Sequence, residues 1–148
     1  MTTNNQLQDR LAIQDLQVEY ARALDANEWA RLDTVFLPGS VADYDGVAYC
    51  DGLDAIKQTC TDALGPLTNS QHLLGNHWAT VDGDRAEAGC YFQAQHVRKG
   101  TAGGDNYIIA GTYTDKLVRT ANGWRIEHRV LKQTWTEGNA SVLNVGNG

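Results

Sequence analysis

The sequence predicts an α+β fold in which three helices precede a strongly curved antiparallel sheet. Apolar residues recur at helical steps as far as Leu64, and from residue 70 onward the period changes to that of strands. Turn chemistry supplies a further observation. Asp82-Gly83-Asp84, Ala102-Gly103-Gly104-Asp105 and Ala121-Asn122-Gly123 cut the second half into long β-prone runs. Helices laid over one face of such a sheet enclose a cone, and the inner face of a cone is a natural small-molecule pocket.

Each element has its own signal. Over Asp9–Leu24, the residues Ile13, Leu16, Tyr20 and Leu24 form one helical stripe, so Tyr20 points inward. After Asp25-Ala26-Asn27 a second helix is expected over Glu28–Phe36, carrying Trp29, Leu32, Val35 and Phe36, with Pro38-Gly39 as its stop. Val41–Cys50 holds two short β-prone pieces around an Asp45-Gly46 turn. A third helix spans Leu53–Leu64 and ends at Gly65-Pro66. Strands are expected at His72–Val81, Ala86–Arg98, Asn106–Thr120 and Trp124–Thr136, joined as an antiparallel meander. Residues 137–148 read as a polar, Gly-rich tail with Val142, Leu143 and Val145, and residues 1–148 as a single domain.

Composition narrows the function classes. With 148 residues, a formal charge of −6 and a pI near 5.0, the chain lacks the basic face that nucleic acid or an anionic membrane would need. Neither a leader-like N-terminus nor a bilayer-length apolar run is present, so a cytoplasmic protein is expected. Three cysteines without CxxC spacing, Cys50, Cys60 and Cys90, read as small core residues. A metal site gathered from the four histidines and Asp25 is the weaker alternative, since no HxH or HExxH spacing supports it. No GxSxG elbow is present either.

The candidate chemistry lies in two distant stretches. Asp25 stands where the first helix runs out and His72 opens the first long strand, which together make the parts of an acid/base device. Strict alternation along that strand would turn His72 and His77 to opposite faces unless a bulge intervenes. His96 shares a face with Phe92 and Ala94, and is either a second proton donor or a hydrogen-bonded core residue. Ile109 and Tyr113 share a face of the next strand. Arg129 reads either as a binder of an anionic or leaving group at the cone wall, or as half of a surface ion pair.

With these positions assembled, the chain resembles the SnoaL-like branch of the nuclear transport factor 2 superfamily. The motifs that carry the resemblance are Ala12-Ile13-Gln14-Asp15-Leu16 leading to Asp25, Gln71-His72-Leu73-Leu74-Gly75, Tyr113-Thr114-Asp115, and Gly123-Trp124-Arg125-Ile126 leading to Arg129. It looks closest to the cofactor-independent lyases of that group, such as hexachlorocyclohexane dehydrochlorinase, scytalone dehydratase and bile-acid 7α-dehydratase. The resemblance implies a catalytic dyad of Asp25 and His72, with Tyr20, His96 and Arg129 assisting. It also implies apolar walls from Phe92, Ile109 and Tyr113, and no metal or organic cofactor. Tyr20 stands where the dehydrochlorinase has a lysine, which favours loss of water over loss of halide. The expected activity is therefore dehydration of a small cyclic substrate. Isomerisation or ring closure by the same base, and a non-catalytic ligand-binding or dimerisation module, are the alternatives. An apolar outer sheet face implies a homodimer or homotrimer.

Overall fold

The computed structural model describes residues 3–143. Its first helix, α1 (Asn4–Asp25), begins five residues before the expected start because Thr3 and Gln6 close a capping box. The Thr3 hydroxyl accepts from the Gln6 N–H at 3.1 Å, and the Gln6 amide oxygen accepts from the Thr3 N–H at 2.9 Å. The expected second helix shrinks to a 3-10 turn over Trp29–Thr34, and Phe36 already belongs to a strand. That strand, β1 (Phe36–Tyr44), pairs with β2 (Ala48–Asp51) around the Asp45-Gly46 turn, where Gly46 adopts φ 69°. Pro38 and Gly39 interrupt β1's register against its other neighbour rather than ending a helix, as suits a residue without an N–H.

Helix α2 (Leu53–Leu64) lies where the sequence places it, burying Leu53, Ile56, Cys60 and Leu64. Four long strands follow: β3 (Asn69–Asp82), β4 (Arg85–Val97), β5 (Asn106–Thr120) and β6 (Gly123–Gly138). The spatial order β2-β1-β6-β5-β4-β3 makes one six-stranded curved sheet, and it is mixed rather than purely antiparallel. The chain leaves β2 through α2 to the far edge and meanders back, so β6 reaches β1 running parallel to it. The sheet is not closed on itself, and α1 covers the inner side near β3.

The stretch from residue 137 departs from the polar-tail expectation. Glu137 and Gly138 still belong to β6, and Ala140–Leu143 forms a 3-10 turn that buries Val142. The Asn139 side-chain amide donates to the carbonyls of Ala102 and Gly104, tying this turn to the β4–β5 loop. Val145 lies outside the described residues.

Two of the sheet's register shifts lie beside the cavity. One sits between Gly75 and Trp78 on β3, with Asn76 in the left-handed region at φ 52°. It reverses the parity, so His77, Ala79 and Val81 continue the inner face of His72 and Leu74 while Trp78 turns outward. The other lies between β5 and β6 at Ala110 and Gly111, where a Cβ on Gly111 would overlap the Lys132 carbonyl oxygen. Gly111→Ala is expected to destabilise the fold by about 1–3 kcal/mol in urea titrations, whereas Gly39→Ala, with open space around it, should stay within about 0.5 kcal/mol of the parent. Equal stabilities for the two variants would contradict this packing.

Candidate functional site

Asp25 is the last residue of α1, where the partial negative charge of the helix end opposes a carboxylate. Three contacts from one residue of β3 offset that cost. The His72 backbone N–H donates to both carboxylate oxygens at 3.1 and 3.0 Å, and its ring Nδ1 lies 2.7 Å from Oδ1. An edge strand makes this feasible, because one side of β3 is free of ladder bonds. A carboxylate only accepts, so this contact calls for hydrogen on Nδ1, and in the neutral imidazole that tautomer leaves the Nε2 lone pair free. The His72 side chain is 5% exposed and that of Asp25 29%, which leaves the carboxylate partly solvated and the imidazole inside.

The imidazole borders a cavity of about 90 Å³ between α1, α2 and the inner face of the sheet. Tyr20, His96, Phe92, Ile109 and Tyr113 line it together with His72, so these expected site residues converge on one space. Tyr44, Cys60 and Gln133 also line it and were not singled out in the sequence. Tyr44 ends the first of the two β-prone pieces expected over Val41–Cys50, and its inward face is set by the pairing of that strand with β6.

His96 is fixed by its partner strand. Its Nδ1 lies 3.0 Å from the Tyr107 carbonyl oxygen, so it donates there and leaves Nε2 as a bare acceptor. Burial, reinforced by the neighbouring His72, pushes the imidazole down to about 4, against weaker upward pulls from the Tyr107 carbonyl and Asp25. His96 is therefore neutral at pH 7 with Nε2 as an acceptor, and its bond to the neighbouring strand matches the hydrogen-bonded reading of the two that the sequence left open.

On the opposite wall the Tyr20 and Tyr44 hydroxyls meet at 2.8 Å, and Tyr44 Oη lies 4.0 Å from Cys60 Sγ. Burial raises both phenols well above their ordinary value, so both remain protonated donors. Burial also pushes the Cys60 thiol up to about 12, which removes it as a thiolate nucleophile.

Arg129 is neither at the cavity wall nor on the surface. It is fully buried, with Nε and Nη2 bonded to Asp115 at 2.7 and 2.8 Å. Its guanidinium lies 4.3 Å from the Tyr20 ring centroid and 4.1 Å from that of Tyr113, a cation against two π faces. Gln17 extends the network, accepting from His77 Nδ1 at 2.7 Å and reaching Asp115 Oδ2 at 3.4 Å. Asp115 could have been found from its parity: a carboxylate in line with Tyr113 and Leu117 faces inward and requires a cation. Among the described residues, no three His, Cys, Asp or Glu side chains converge as a metal site, and no helix is long and apolar enough to cross a membrane.

The neutral, buried His96 has a consequence for stability. Its folded value near 4 lies below the model-peptide value of 6.5, so between these the unfolded chain binds a proton that the folded chain does not. Stability should fall as pH drops from 6.5 towards 4, by at most about 3 kcal/mol from this group. Urea titrations across that window should show a steeper decline for the parent than for His96→Gln; identical slopes would contradict a neutral His96.

The likenesses to known proteins agree with this geometry. Residues 5–130 match the SnoaL-like domain family. The uncharacterized protein Rv2910c of Mycobacterium tuberculosis is 37% identical over 127 residues, covering 84% of this chain and 85% of that protein. Terrestric acid biosynthesis cluster protein E of Penicillium crustosum is 27% identical over 142 residues, covering 93% and 90%. Among solved structures, a candidate scytalone dehydratase from Novosphingobium aromaticivorans superposes with a TM-score of 0.81 at 25% identity, covering 94% and 92% of the two chains. The LinA-type3 hexachlorocyclohexane dehydrochlorinase of Novosphingobium barchaimii shares the fold at a TM-score of 0.78 and 18% identity, covering 90% and 92%. With a family match across most of its length, the chain belongs to the SnoaL-like domain family, and it shares its fold with a nuclear transport factor 2-like protein of Salmonella enterica at a TM-score of 0.75 and 18% identity.

Proposed function

We propose that the protein is a cofactor-independent lyase that removes water from a small cyclic substrate, with Asp25 and His72 as its catalytic unit. The observation that carries this reading is the 2.7 Å contact between His72 Nδ1 and Asp25 Oδ1 at the edge of a largely apolar cavity. A histidine held in that tautomer offers Nε2 as a base. Its imidazolium is stabilised by the carboxylate, in the way an aspartate serves a catalytic histidine elsewhere. His72 takes the proton next to the leaving group and returns it to the departing hydroxyl, so water leaves and the enzyme ends as it began. His96, neutral and accepting, orients a substrate hydroxyl. Phe92 and Ile109 give the ring its apolar walls.

The likeness to a candidate scytalone dehydratase at 25% identity supports elimination of water. Arg129 acts from behind the cavity, holding the Tyr20 and Tyr113 rings in place, rather than by touching the substrate. A screen of hydroxylated cyclic ketones is expected to give a product lighter by one water. An unchanged mass with altered absorbance would instead indicate isomerisation or ring closure by the same base.

Asp25→Asn and His72→Ala should each lower turnover by ~10²–10⁴-fold with little change in fold. The double variant should lose little more than the worse single one, because residues acting as a unit are not additive. Multiplicative losses would contradict the dyad. On the outer face, strand register places Leu73, Trp78, Tyr91, Val130 and Trp135 together, with Leu73 61% and Tyr91 57% exposed. We expect this face to pair copies of the chain. Sedimentation should show a dimer or trimer, and Tyr91→Lys should dissociate it; a 16.2 kDa species for the parent at micromolar concentration would contradict the expectation.

A further inference from the structure

Tyr113 stands out among the cavity residues because its phenol is immobilised yet uncommitted. Phe92 stacks on one ring face at 4.5 Å and 24°, and the Arg129 guanidinium lies 4.1 Å from the ring centroid. The hydroxyl has no hydrogen-bond partner among the described residues. It is not sealed off either, since the Arg129 Nη1 is the orphan among their fully enclosed polar side-chain atoms and Tyr113 lines the cavity. A buried phenol without a partner loses hydration for nothing in return, and a phenylalanine would pack equally well.

Tyr20 offers a second phenol 5.6 Å away, centroid to centroid. Tyr44, at 2.8 Å, can donate to Tyr20 and so free the Tyr20 proton for the cavity. The same buried guanidinium lies against both rings, and its positive charge makes each hydroxyl a better donor to negative charge. Burial raises the Tyr113 phenol, with Arg129 pulling the other way, and the proton stays on oxygen at neutral pH.

We propose that Tyr113 is a catalytic residue, and that its hydroxyl and that of Tyr20 together cradle the oxyanion formed when a carbonyl substrate loses its α-proton. The inference rests on the dehydratase reading and narrows its substrates to β-hydroxy carbonyl compounds. His72 Nε2 takes the proton from the α-carbon, and the C–H electron pair moves to the carbonyl oxygen as an enolate held by the two phenols. The enolate collapses, the C–O bond to the β-hydroxyl breaks, and the proton on His72 joins the leaving hydroxide as water. Charge develops on the substrate oxygen in the transition state, which is where preorganised donors lower a barrier most.

A binding measurement tests the cradle without turnover. 4-Nitrophenolate mimics the enolate oxygen and reports its ionisation by absorbance, and nitrobenzene is its uncharged counterpart. The parent should prefer the phenolate, and Tyr113→Phe should weaken phenolate binding by roughly 10-fold or more, as expected for a hydrogen bond to a charged group. The same variant should change nitrobenzene binding by less than about 2-fold. It should melt no lower than the parent, since the hydroxyl it loses has no partner among the described residues. Phenolate binding that is equal in parent and Tyr113→Phe overturns the cradle and leaves the dyad reading standing; so does a parent without preference for the phenolate. Loss of the preference in Tyr113→Phe supports the cradle even where the parent dehydrates no hydroxy ketone, a result that removes the dehydratase reading alone.

Discussion

The site depends on one contact between a helix end and a sheet edge. Asp25 sits where a carboxylate is electrostatically out of place, and His72 satisfies it through both its backbone N–H and its ring. The same contact fixes the end of α1 against β3 and sets the His72 ring at the border of the cavity. A local rule broken at a helix terminus and compensated across 47 residues of chain is the pattern expected of a functional site rather than of a stabilising one.

Behind the cavity a second constraint holds the aromatic wall. Arg129 and Asp115 are both fully buried, and such a pair adds little net stability against an apolar replacement although loss of one partner is severe. Its value here is positional. The guanidinium packs against both the Tyr20 and Tyr113 rings, which also meet edge to face, while Asp115 fixes its plane and Gln17 ties the pair to His77 on the first long strand. The polar groups that face the cavity are thus held by others that do not.

Much of this was legible in the chain. The helical stripe placed Tyr20 inward, the Asn-Gly and Asp-Gly turns marked the hairpins, and α2 lies at its expected bounds. What was hidden has physical reasons. Trp29, Leu32, Val35 and Phe36 satisfy helical spacing, but a 3-10 turn followed by a buried strand satisfies it too, so the start of β1 at Phe36 was hidden. The bulge at Asn76 reverses strand parity without any change in hydrophobic period, which concealed that His72 and His77 share a face. Arg129 has no local partner: Asp115 reaches it across a ladder, and register is a tertiary property. The neutrality of His96 arises from enclosure and a carbonyl on the adjacent strand, which no linear motif encodes.

Nitrogen-15 chemical shifts of the His72 imidazole test the central claim most directly, because they report which ring nitrogen holds the proton. Hydrogen on Nδ1 and a bare Nε2 in the parent at neutral pH, with that preference lost in Asp25→Asn, is the result the account predicts. Hydrogen on Nε2 in the parent, or a tautomer indifferent to Asp25→Asn, would contradict it, since His72 would then have no base to offer the cavity.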